Sequence, residues 1–223
     1  MHYGDFRRFT AVSCVLLACL STLSCDSAKP SASAKPAALA NDAARGIDLL
    51  QRIELPRDQI QGDCQMSDGA LVISGEQAAY LEMPVDAPER YMLEMRVQRL
   101  QGDGSLNVGL VVGPSQVMAV LDGWRTRENG LSLVEGKPGN QNRTRTSRRI
   151  FEPGEKVLVR CVVSPQEVTV ECDAYPAIQW QGDPQELSLD TRNFPPRAPR
   201  RLMIGGWGGK LRISDARRIE MSP

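Results

Sequence analysis

Histidine is almost absent: His2 is the sole one in 223 residues, and it lies in an N-terminal stretch that reads as a removable leader. Ser-His-Asp and Cys-His catalysis and every His-ligated metal site are thereby excluded from the folded part. A charge excess is lacking too, because 27 basic residues balance 27 acidic ones. A general nucleic-acid binder needs a basic surplus for its phosphate contacts, so no nucleic-acid partner is expected. Helical periodicity over any long stretch is missing. The apolar run from Thr10 to Leu23 is too short to cross a ~30 Å hydrocarbon core comfortably as a permanent helix. Cofactor and metal motifs are also wanting. Asp103-Gly104-Ser105-Leu106-Asn107 alternates oxygen-bearing residues but lacks the twelve-residue calcium-loop pattern with its bidentate Glu, and it reads as a turn.

Arg7 and Arg8 followed by that apolar run form a secretory signal. The run ends Leu20-Ser21-Thr22-Leu23-Ser24-Cys25, which resembles a bacterial lipoprotein lipobox, with Thr22 where an aliphatic residue is usual. Leu16-Leu17-Ala18-Cys19 fits the motif's residues better but leaves a short apolar region. The resemblance implies a signal peptide over 1–24 and lipidation at Cys25, with Cys19 as the alternative. Asp26 to Ala44 is Ser, Ala, Lys and Pro with almost no large apolar side chain, and it cannot repay the entropy of ordering. Residues 25–44 are therefore expected to be a tether. A lipid-anchored protein of the cell envelope follows, facing the periplasm or exterior, with the membrane as a partner through its anchor.

Residues 45–223 are expected to form one all-β domain. Short alternating segments bounded by turn residues recur throughout. Tyr91, Leu93, Met95 and Val97 share one face of a strand; Met92, Glu94, Arg96 and Gln98 share the other. The Gly-rich Gln101–Ser105 segment predicts a turn into a strand over 106–112, and Gly113-Pro114-Ser115 predicts another into 116–121. A second hairpin pairs 156–163 with 168–172. Its register sets Val163 opposite Val168 and hence Val159, not Cys161, opposite Cys172. Tyr175-Pro176 is expected to turn the chain into 177–180. Strands at 201–204, 211–213 and 217–221 close the sheet, the first two separated by Gly205-Gly206-Trp207-Gly208-Gly209. Cys64, Cys161 and Cys172 permit at most one internal disulfide, and buried free thiols are the default for the hairpin pair.

Ile47-Asp48-Leu49-Leu50, Gly69-Ala70-Leu71-Val72, Leu121-Asp122-Gly123-Trp124, Gly130-Leu131-Ser132-Leu133-Val134-Glu135-Gly136-Lys137, Ile178-Gln179-Trp180-Gln181-Gly182-Asp183 and Leu202-Met203-Ile204-Gly205 occur in that order. Together they resemble the concanavalin A-like jelly-roll domains of planctomycete-type bacterial envelope proteins, with laminin G-like and 3-keto-disaccharide hydrolase domains sharing the broader plan. Cys64 stands where that group usually has Trp. The resemblance implies a two-sheet antiparallel jelly-roll sandwich with one concave face often used for glycans. The carboxylate strand motif of laminarinase-like jelly rolls is absent, so a lectin-like, non-catalytic carbohydrate-binding domain is the expectation. A hydrolase of modified glycosides and a structural protein–protein module are the alternatives.

A sugar site needs an exposed aromatic beside carboxylates, amides or cations. Candidate ligand-binding residues are Asp122, Trp124, Glu135, Lys137 and Trp207. Asp122 and Trp124 share strand parity with Met118 and Val120, so they line either an exposed second face or a buried one. Trp207 sits among four glycines, which serve either close approach of a ligand or a tight corner. Glu135 and Lys137 lie on a Gly- and Pro-punctuated loop that either grips hydroxyls or is a solvated hairpin tip. Trp180, alternating with Ile178, is expected in the core. Two arginine clusters, Arg143, Arg145, Arg148 and Arg149 and then Arg192, Arg197, Arg200 and Arg201, offer secondary contacts to an anionic polysaccharide or lipid head groups.

Cys25→Ser should release the protein from membranes and abolish metabolic fatty-acid labelling, because the thioether site is gone. Loss of label only in Cys19→Ser would move the anchor to Cys19, and unchanged membrane pelleting in both variants would overturn the anchor.

Overall fold

The computed structural model describes residues 46–124 and 127–222; the leader, the tether, His2, Cys14, Cys19 and Cys25 lie outside the described residues. The strands are β1 (Ile47–Asp48), β2 (Gln59–Gln61), β3 (Asp63–Ser67), β4 (Ala70–Asp86), β5 (Tyr91–Val112), β6 (Ser115–Gly123) and β7 (Glu128–Leu131). They continue with β8 (Leu133–Val134), β9 (Lys137–Pro138), β10 (Lys156–Ser164), β11 (Glu167–Cys172), β12 (Tyr175–Gln181), β13 (Leu187–Ser188) and β14 (Arg201–Glu220). The expected two-sheet antiparallel jelly-roll sandwich is present, and three long strands, β4, β5 and β14, run through both sheets.

In the first sheet, β12, β11 and β10 lead to the first half of β5, which pairs with the last half of β14 and, beyond it, the start of β4 and β3. In the second, β2 borders the last half of β4, followed by the first half of β14, the last half of β5, then β6 and β7. Inward-facing residues of both sheets make one core. Tyr91, Leu93, Met95 and Val97 meet Leu106, Val108, Leu110, Val117, Ala119 and Leu121, all buried. Alternation along each strand produces that core directly.

Gln101–Ser105 is not a reversing turn. It is the bend at which β5 passes from one sheet to the other, and Gly205–Gly209 is the matching bend in β14, so the expected closing strands are one strand. Backbones touch where the two bends cross. A Cβ on Gly104 would collide with the Trp207 carbonyl oxygen and the Gly209 nitrogen, and Gly208 adopts φ +76°. Glycine runs therefore mark strand corners here as readily as turns.

The β10–β11 register is the expected one, with Val163 opposite Val168 and Val159 opposite Cys172. The next turn falls earlier than Tyr175-Pro176. Asp173 and Ala174, at φ +47° and +66°, make a two-residue hairpin turn, and Cys172 pairs with Tyr175. Such a turn usually advertises itself with Gly or Asn, which this chain lacks at that point. Pro176 is tolerated because β12 is an edge strand and the ladder carries a bulge between Val170 and Glu171. Trp180 is in the core, as expected.

Cys64, Cys161 and Cys172 are free and buried. Burial pushes the Cys64 thiol up to about 11 and that of Cys161 up to about 12. Cys172 is raised as well, by burial and by the neighbouring Cys161 and Asp122. Thiols held in the neutral form are poor nucleophiles, so these residues act as small hydrophobes.

Val170 is fully buried and faces Cys161 and Ile178, whereas Thr169 points to the other side of β11. Val170→Asp should destabilise the domain by about 4–5 kcal/mol, since an unpaired carboxylate would enter the core. Thr169→Asp should cost about 1 kcal/mol or less. Equal melting temperatures for the two variants would overturn this register.

Candidate functional site

The second sheet is buried on its outer face as well as its inner one. Ala78 and Tyr80 of β4, Met118 and Val120 of β6 and Met203 of β14 form a second apolar cluster, capped by Phe194, with Ile60, Leu189 and Trp124 packed against it. Phe194 meets the Tyr80 ring edge-on at 5.8 Å between centroids. It is carried by the segment 189–200, a strap laid across the sheet. Arg197 ties this strap to the carbonyl oxygens of Arg57 and Gln59, its backbone N–H donates to Glu82, and Arg200 donates to the Gly113 carbonyl.

Beside the strap the outer face opens into a cavity of about 770 Å³, lined by Trp124, Trp207, Phe194, Asn107, Asp103 and Arg127 among others. That size suits a ligand of small-molecule or short-oligosaccharide bulk. Two tryptophans far apart in the chain both border it. Trp207 follows the outward parity of Met203 and Gly205 along β14, reaches the cavity mouth and stays 42% exposed. Trp124, in the left-handed region at φ +49°, lays its indole over Gly139, where any Cβ would collide with the six-membered ring. The cavity thus has apolar ring faces on its walls and polar groups between them.

Asp122 adjoins the cavity, but its carboxylate does not serve it. Left-handed backbone at φ +56° and a register shift between Val120 and Gly123 break the parity that would set it on the outer face with Met118 and Val120. The side chain turns inward, where Oδ2 accepts from Arg99 at 2.9 Å and from the Phe151 N–H, and Oδ1 accepts from the Ile150 N–H. Arg99, 1% exposed, also donates to the carbonyl oxygens of Gly104 and Phe151 and lies over the Phe151 ring at 5.7 Å. Asp122 is the cavity's foundation, not its ligand contact.

Glu135 and Lys137 stand apart from the tryptophans. Glu135 and Gly136, both at positive φ, form the tip of the β8–β9 hairpin, and the Glu135 carboxylate pairs with Arg143 at 3.2 Å and Lys137 at 3.5 Å. The backbone of this hairpin borders the cavity at Gly136 and Pro138, while the two charged side chains are exposed and neutralise each other. Close by, Asn142 is buried and holds its loop by donating to the Leu131 and Lys137 carbonyls.

The two arginine clusters are engaged differently. Arg143 pairs with Glu186 as well as Glu135, Arg145 with Glu128, and Arg149 with Asp103 and Glu152, while Arg148 stacks on Tyr175 at 4.2 Å. In the second cluster Arg192 pairs with Asp190 and Arg201 with Asp86. Arg143, Arg145 and Arg149 staple loops to the sandwich through carboxylates, whereas Arg197 and Arg200 do so through backbone carbonyls, which bring no counter-charge.

Asn107 is a lining residue that no sequence motif singles out. It lies on β5 between Val120 and Gly205 of the flanking strands, faces the cavity and is 2% exposed. The signal is visible in retrospect: Leu106-Asn107-Val108-Gly109-Leu110-Val111-Val112 is apolar apart from this one amide.

Asp122→Ala should cost about 3–5 kcal/mol, because it leaves the Arg99 guanidinium buried without its counter-charge. Arg99→Met combined with Asp122→Ala should cost less than the two single changes added together, as read by chemical denaturation. A single-variant cost under about 1 kcal/mol would show that the pair is dispensable.

No protein-family model and no curated protein matches this sequence. Solved structures match by fold. A carbohydrate-binding module, CBM66, from Bacillus subtilis superposes with a TM-score of 0.53 at 6% identity, over 73% of this chain and 94% of that one. The carbohydrate recognition domain of Emp46p gives 0.53 at 10% identity, over 79% of this chain and 96% of that one. At such identities the likeness establishes the fold: residues 46–222 share the jelly-roll sandwich of these two domains.

Proposed function

We propose that this protein is an envelope-anchored lipoprotein whose jelly-roll domain binds a glycan, without catalysis, in the cavity between Trp124 and Trp207. The observation that carries the reading is that these two indoles, one from the middle of the domain's sequence and one from near its end, border one cavity together with polar groups. Pyranose rings present apolar C–H faces and hydroxyl edges, and this alternation of ring face and polar group complements them. The two similar folds are a carbohydrate-binding module and a carbohydrate recognition domain, which supports the reading without deciding the ligand.

Four carboxylates border the cavity, those of Glu76, Asp103, Asp122 and Asp190. A glycosidase needs two carboxyl groups free to work as a pair across its cleft. Asp103 is paired with Arg127 at 3.4 Å and Arg149 at 3.2 Å, and Asp190 with Arg192 and Asn193. Asp122 is enclosed by Arg99 and two backbone N–H groups, so Glu76 is the one lining carboxylate without a partner among the described residues, and a single free carboxylate favours binding over hydrolysis.

A glycan array with the purified protein tests this reading, and Trp207→Ala tests the site. Because Trp207 is 42% exposed, its removal should weaken binding of an array hit by about 1–3 kcal/mol, as for an anchoring aromatic, with little change in melting temperature. A destabilised variant with undiminished affinity per folded molecule would overturn stacking at this residue. An array without hits, followed by reducing-sugar release from a polysaccharide panel, would favour the hydrolase alternative.

A further inference from the structure

Asn107 carries an anomaly that the fold itself does not explain. Its side-chain oxygen Oδ1 is buried and has no hydrogen-bond partner among the described residues, although the residue is 98% buried, being 2% exposed. Its neighbours across the sheet are Val120 on β6 and Gly205 on β14, and neither side chain has a polar atom to offer. Ser105, two residues back on the same face of β5, and Trp124 and Trp207 line the same cavity. An amide oxygen stranded in this way weakens the folded state, and an apolar residue of the same shape would remove the penalty.

We infer that Asn107 is the specificity-determining residue of the cavity: its Oδ1 accepts a hydrogen bond from one hydroxyl of a sugar seated between Trp124 and Trp207. The inference rests on the glycan reading and adds to it the atom that selects among glycans. The tryptophans contribute ring contact that is tolerant of which sugar is bound. Asn107 is different, because a buried acceptor rewards a ligand that brings a donor to that point and penalises one that does not. A deoxy sugar leaves the oxygen unpaired. A fluoro sugar brings a weak acceptor against an acceptor, and it cannot donate.

The test is a protein-observed NMR titration of the whole mature protein with glucose, galactose, mannose, fructose and N-acetylglucosamine, following the indole N–H signals of Trp124 and Trp207. The best binder is then replaced by its monodeoxy and monodeoxyfluoro forms. One ring position should lose at least tenfold in affinity for both replacements in the wild-type protein. Asn107→Leu should bind the parent sugar at least tenfold more weakly, should no longer distinguish the deoxy forms, and should melt no lower than the wild type. That combination of higher or equal stability with lost selectivity is not expected of a residue that serves packing alone. If Asn107→Leu does not fold, Asn107→Ala is read on affinity and deoxy discrimination instead.

Wild-type affinity and selectivity in Asn107→Leu, with binding lost in Trp207→Ala, would overturn the role of Asn107 and leave the glycan cavity standing. A marked drop in the melting temperature of Asn107→Leu, with selectivity kept in Asn107→Ala, would show that the amide is satisfied within the fold and overturn it likewise. If none of the five sugars moves either indole signal, the cavity reading fails and this inference falls with it.

Discussion

The buried ion pair between Arg99 and Asp122 holds the place where the sandwich is most exposed to failure. At that point β5 leaves one sheet for the other, β6 ends, and the chain near Phe151 approaches from the opposite side. A guanidinium taken out of water there would be very costly without a counter-charge and acceptors, which Nη1 and Nη2 of Arg99 find, while its Nε is buried without a partner among the described residues. Arg99 donates to one carboxylate and two backbone carbonyls, and Asp122 takes two backbone N–H groups in return. Four backbone groups that a bend would otherwise leave unsatisfied are thereby paired with the two side chains. The network extends through the Asp122 N–H to Asn129, and from Asn129 to Thr146 and the Arg148 carbonyl, so the arginine-rich loop is fastened to the same point.

The geometry of the cavity depends on this anchorage. Asp122, drawn inward, sets the left-handed backbone from which Trp124 emerges two residues later, and Gly104, held through its carbonyl by Arg99, packs against the bend that presents Trp207. Both aromatic walls are therefore positioned from beneath by one buried pair. The third wall, Phe194, belongs to a strap fixed by backbone carbonyls and by Glu82 rather than by apolar burial alone. A cavity assembled on strand ends and bends in this manner can change its lining by changing a few side chains while the sandwich stays the same.

The sequence by itself determined the class of fold, the hairpin register and the core. Period-two alternation over Tyr91–Val97, Val157–Val163 and Val168–Cys172 assigns each side chain to a face, and a slip of one residue would expose every valine. It also placed Trp180 in the core, whereas it left Trp207 open between ligand approach and a tight corner, and the fold makes Trp207 both exposed and part of a corner. What alternation cannot express is where the backbone departs from it. The left-handed conformations at Asp122, Trp124, Asp173 and Ala174 carry no glycine to announce them. They are imposed by contacts from distant segments, so Asp122 read as outward when it is inward, and the β11–β12 turn read two residues late. The two glycine runs look like turns in sequence and became bends only because each meets the other's backbone. Asn107 shows the same division: one amide in an apolar strand is visible at once, but whether it lacks a partner depends on Val120 and Gly205, which only the packed sheet brings alongside. Local pattern thus decided which way strands face, whereas hydrogen-bond accounting among segments far apart in the chain decided the corners, and the cavity is built at the corners.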